Sequence, residues 1–72
     1  MNQFSKDAFA ANLRAERARS DLSQEELASR SGVSAAAILS YENGTYVPGA
    51  DKVCALAEVL GVTPNDLCGW TS

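Results

Sequence analysis

One local pattern recurs four times and constrains the fold more than any other feature. An apolar residue is followed by Ser or Thr, and a second apolar residue stands four positions after the hydroxyl. Phe4-Ser5 leads to Phe9, Leu22-Ser23 to Leu27, Val33-Ser34 to Ile38, and Val62-Thr63 to Leu67. A hydroxyl in front of a helix accepts a hydrogen bond from an orphan backbone N–H of the first turn. The two apolar residues, at N′ and N4, pack together and set the angle at which the chain enters. Ser23 with Glu26 adds the second arm of a capping box, and Pro64 stands at the first helical position, where its missing N–H costs nothing.

The stops agree with the starts. Gly32 follows Arg30-Ser31, Gly44 follows Glu42-Asn43 and Gly61 follows Leu60, each suited to the left-handed residue that closes a helix. Pro48-Gly49 resets the chain before Ala50, after which Val53, Leu56, Ala57 and Leu60 recur at helical spacing. This spacing predicts five helices, over about residues 5–19, 24–31, 35–43, 50–60 and 64–69. No segment alternates over enough residues to make a strand. The expectation is a compact all-α, five-helix domain.

Composition narrows what such a domain can do. With 72 residues the chain has room for one domain, residues 1–72. Leu, Ile, Val and Phe number 15 and alanine 12, so the core is small and a partner subunit would help it. No run approaches a membrane span, and the first residues lack the basic-then-apolar order of a signal peptide. Two cysteines, Cys54 and Cys68, are too few for a secreted disulfide scaffold, so a cytoplasmic protein with free thiols is expected. With no histidine, no Ser or Cys nucleophile has its usual base and no metal site its commonest ligand. The chain therefore reads as a non-enzyme, with neither cofactor nor metal.

Between Leu22 and Gly44 the sequence is LSQEELASRSGVSAAAILSYENG. Two short helices joined through Ser31-Gly32-Val33 fit a helix-turn-helix, motif core 23–43. Gly32 makes the turn, small Ala28 allows close approach, and Val33 and Ile38 point inward. The same pattern also fits a plain αα-corner in a small bundle, because fold alone does not fix function.

A longer order of residues goes further. Arg14 and Arg17, then Leu22-Ser23-Gln24-Glu25-Glu26-Leu27-Ala28, Gly32-Val33-Ser34, Ile38, Tyr41-Glu42-Asn43-Gly44, Pro48 and Leu56-Ala57 to Leu60-Gly61-Val62 follow one another. Taken together this resembles the Cro/lambda-repressor-type (XRE-family) helix-turn-helix domain over roughly residues 9–69. The resemblance implies a phage-repressor-like five-helix fold whose third helix, about residues 34–43, enters the major groove of double-stranded DNA in a two-fold dimer. It further implies phosphate contacts from Gln24 at the start of the second helix and from Asn43 after the third. Ser34 and Arg14 complete that set. Arg17 and Glu42 match the family's partly buried ion pair between the first helix and the end of the third.

This chain departs from the family where bases would be read. The base-contact positions are Ala35, Ala36, Leu39 and Ser40, where relatives often carry long polar side chains that bond base edges bidentately. Methyl contact to thymine and one hydroxyl remain. The loop Thr45-Tyr46-Val47-Pro48-Gly49 carries no positive charge, and six Lys and Arg face nine Asp and Glu, a net charge of −3. DNA affinity rests largely on cations that displace counterions, so dimerisation or a basic partner is needed. A second reading follows. The Ala35, Ala36 and Leu39 face with Tyr46 and Val47 is apolar enough for a protein partner, which would make the chain an adaptor or anti-regulator. For self-association, Leu67 and Trp70 are the candidate interface residues. Cys54 is expected to be a small buried apolar residue and Cys68 the more exposed of the two.

Overall fold

The computed structural model describes residues 6–69, and these form five α-helices. They are α1 (Lys6–Arg19), α2 (Gln24–Ser31), α3 (Ala35–Glu42), α4 (Ala50–Leu60) and α5 (Pro64–Cys68). The expected boundaries agree within one residue. Phe4 and Ser5, the first of the four start patterns, and Trp70 lie outside the described residues.

The remaining starts are closed by the bonds their residues allow. The Ser23 hydroxyl accepts from the Glu26 N–H at 3.0 Å, and the Glu26 carboxylate accepts from the Ser23 N–H at 2.8 Å. Ser34 caps α3 by accepting from the Ala37 N–H at 3.1 Å. At α5 the cap is a full box as well: Thr63 accepts from Asp66 at 3.2 Å, and the Asp66 carboxylate accepts from Thr63 at 2.9 Å. The sequence marks Thr63 as the cap and Pro64 as the first helical residue; the reciprocal arm is less legible because it is a shorter aspartate instead of Glu or Gln.

The end of α1 carries no glycine. Asp21 takes the left-handed place instead, with φ 58°. The Leu22 N–H reaches the Arg17 carbonyl at 3.2 Å and the Asp21 N–H reaches Ala18 at 3.0 Å. These are the two bonds of a Schellman stop, at a residue type that tolerates this region better than most. Gly32, with φ 76°, makes the tight turn between α2 and α3.

Helix α1 packs on α3 and α5, α2 on α3 and α4, and α4 on α5. The fully buried side chains come from all five helices: Phe9 and Leu13, Leu27, Ile38, Leu56 and Leu67. The Phe9 and Tyr41 rings meet edge to face, 6.3 Å between centroids, which joins α1 to the last turn of α3. Asn12 donates its side-chain N–H to the Leu67 carbonyl at 3.0 Å, satisfying an acceptor that the end of α5 would otherwise leave open.

Two expectations change in this fold. Leu67 has no exposed surface; it is part of the chain's own core and cannot anchor a dimer. The cysteines are reversed: Cys54 on α4 is exposed and Cys68 at the end of α5 is buried. Cys54 follows buried Val53 and precedes Leu56 and Ala57, which take the inward face of α4 and turn Cys54 outward. Among the described residues no helix is long and apolar enough to cross a membrane.

Candidate nucleic-acid interface

Three apolar residues of α3 and its surroundings fix how the helix sits. Val33 and Ile38 are buried beneath it and Tyr41 closes its last turn, so the opposite side is presented outward. On that side Ala36 and Leu39 are exposed and Ala35 and Ser40 half-buried. Leu39 is 48% exposed, one of three large apolar residues left in solvent among the described residues, with Tyr46 and Val47. The four positions expected to read bases thus share one outward side of the helix. Ser34, at its start, is also exposed; its oxygen is engaged in capping while its O–H can still be donated.

Beside this side runs an open groove of about 550 Å³, bordered by Ala36 and Ser40 of α3, Tyr46 and Val47 of the following loop, and Asp51 and Lys52 of α4. Lys52 brings a cation to a surface whose loop has none. In the sequence Lys52 is only one of six scattered Lys and Arg. Its place at the third position of α4, just after the Pro48-Gly49 turn, is the signal that would have located it.

Glu42 is the centre of the polar network behind α3. It is 4% exposed, and its carboxylate accepts from Arg17 Nε at 2.7 Å and Nη2 at 3.0 Å. Arg17 also donates Nη1 to the Leu22 carbonyl at 2.9 Å, so one guanidinium ties α1, the α1–α2 turn and α3 together. Burial pushes the Glu42 carboxyl up. The hydrogen bonds from Arg17 and Gln24, with the charges of Arg17 and Arg14, outweigh this and hold its pKa below the ordinary value.

The expected phosphate contacts stand in different states. Gln24 is the first residue of α2, and its Nε2 donates to Glu42 Oε1 at 3.0 Å, which leaves a second N–H on the same nitrogen. Arg14 is exposed, but its guanidinium donates to the Glu42 main-chain carbonyl. Asn43 is exposed in the residue after α3. Arg19 is paired with Glu16 one turn away, and Arg30 is exposed at the end of α2. Among the described residues no group of three or more His, Cys, Asp or Glu side chains could hold a metal ion.

Comparisons with known proteins agree with this geometry. The helix-turn-helix domain family matches residues 8–67 of the chain. Among solved structures, the restriction-modification controller protein C.AhdI from Aeromonas hydrophila is similar, with 31% sequence identity and a TM-score of 0.82. The match covers 86% of this chain and 94% of that one. No curated protein matches. With the family matched from α1 to α5 and the turn between α2 and α3 in place, the chain belongs to the helix-turn-helix domain family.

Proposed function

We propose that this chain is a transcription regulator that binds double-stranded DNA as a homodimer, with α3 in the major groove. The observation that carries the reading is the outward side of α3. Its Ala36 and Leu39 are exposed on a helix held from behind by Ile38, Tyr41 and the Arg17–Glu42 pair. Membership in the helix-turn-helix family and the likeness to a restriction-modification controller support a regulatory role in the cytoplasm. Gln24, Asn43, Ser34 and Arg14 would contact phosphates, with Lys52 added from the α4 side. With alanines at the reading positions, discrimination would come from thymine methyl contacts and DNA shape more than from bidentate bonds.

A second reading is favoured by one observation. Among the described residues the exposed large apolar ones, Leu39, Tyr46 and Val47, stand on α3 or in the loop that follows it, in a chain of net charge −3. This suits a protein partner as well as a groove in DNA. Fluorescence anisotropy of a labelled random-sequence duplex pool separates the two. A DNA-binding dimer binds at about 50 mM salt and, with about four phosphates contacted, loses on the order of 100-fold in affinity by about 200 mM. A folded dimer that binds at neither salt overturns the DNA reading in favour of a protein partner.

A further inference from the structure

The only two cysteines of the chain, 14 positions apart and on the consecutive helices α4 and α5, border the same groove. It has a volume of about 380 Å³ and lies between α4 and α5, with Val47, Pro48, Val53 and Pro64 among its apolar walls. Cys54 is exposed and Cys68 buried, so one thiol is open to solvent and the other stands deeper in the fold. We propose that Cys54 and Cys68 together form a two-thiolate binding site for a soft monovalent metal ion of the copper(I) class. This proposal does not depend on the DNA reading.

Two observations support it beyond the shared groove. The donor set is selective. No third His, Cys, Asp or Glu joins these two among the described residues, which is too few ligands for tetrahedral zinc or an oxygen-loving divalent ion. Two soft thiolates suit a d10 monovalent ion, which is satisfied by two sulfur ligands in a line. The walls are also mostly apolar, with Asn65 the one amide side chain among them, and hold no carboxylate to compete.

The chemistry balances without an oxidant. Each thiol loses one proton, two metal–sulfur bonds form, and the ion stays in its reduced state, so binding releases two protons and strengthens as pH rises. Val47 and Pro48 border both this groove and the one beside α3, so a bound ion would touch the loop that flanks the candidate DNA face.

The test is an anaerobic titration of the reduced full chain with copper(I), in competition with the chromogenic chelator bicinchoninate. The expected result is one ion per chain, with thiolate-to-metal charge-transfer absorption in the ultraviolet. Both cysteines become protected from iodoacetamide, and the affinity rises with pH. Cys54→Ser and Cys68→Ala should each bind on the order of 100-fold more weakly, because two-point attachment is lost. Cys54 is exposed, so its variant keeps the fold and decides the matter even if Cys68→Ala does not fold. Equal affinity in Cys54→Ser, or one ion bridging two chains, overturns the proposal. Formation of a Cys54–Cys68 disulfide in air without metal uptake under reduction overturns it too, and makes the pair a redox couple instead.

Discussion

Arg17 and Glu42, 25 positions apart, meet in a two-point ion pair, Nε to Oε2 at 2.7 Å and Nη2 to Oε1 at 3.0 Å. The pair joins α1 to the last residue of α3, while Gln24 and Arg14 converge on the same residue. The start of α2 and the end of α3, two of the places where phosphate contacts are proposed, are thus held by one buried carboxylate. Removing it would leave the Arg17 charge without its partner. Glu42→Ala should cost about 3 kcal/mol, the low end for a broken buried pair because Arg17 keeps some contact with water. For a chain of this size that is a fall in Tm of more than about 10 °C. Glu25→Ala, at an exposed position, should stay within about 0.5 kcal/mol. Equal losses in thermal melts of the two variants would refute a central role for Glu42.

Stability should depend on pH through depressed carboxylates. Glu42 is held low as described, and Glu26 and Asp66 are held low by the bonds they accept in their capping boxes, from Ser23 and Thr63. A carboxylate whose pKa is lower in the folded state stabilises the fold above its ordinary value, 4.5 for Glu and 3.8 for Asp. That contribution is lost as pH falls through the lowered value. Circular-dichroism melts should therefore give a flat Tm between about pH 5.5 and 7 and a falling one below about pH 4.5. In Glu26→Gln the fall should be shallower.

The turn between α2 and α3 should resist any side chain. Gly32 has φ 76° and open space where a Cβ would stand, so the penalty for Gly32→Ala comes from the backbone alone. The expected cost is about 1 kcal/mol, read as a drop in Tm of several degrees. A variant as stable as the parent would mean that α2 and α3 can meet through a different turn.

Leu39→Glu separates binding from folding. The residue is 48% exposed, so the variant should melt with the parent, within about 0.5 kcal/mol. Its carboxylate would face phosphates and thymine methyls, and DNA affinity should fall by at least about tenfold, a difference of 1.4 kcal/mol. Ser40→Ala, with one hydroxyl removed, should alter sequence preference little. Normal DNA binding by Leu39→Glu would remove α3 from the groove.

The helices were legible because their signals are local. Ser23 and Glu26, Thr63 and Pro64, Ser34, Gly32 and Gly61 act within one turn of their own positions, and capping bonds do not wait for distant neighbours. The outward side of α3 was legible too, since burying Val33, Ile38 and Tyr41 leaves Ala36 and Leu39 only one direction to face.

What the tertiary structure decided is which long-range partners each helix face meets. Leu67 is core because Asn12 and its neighbours on α1 draw α5 inward, while Cys68 beside it shares a groove with Cys54 on another helix. Gln24 turns toward Glu42 because the last turn of α3 passes close to the first turn of α2. Each depends on how one helix is rotated against another, and periodicity within a single helix carries no information about that angle.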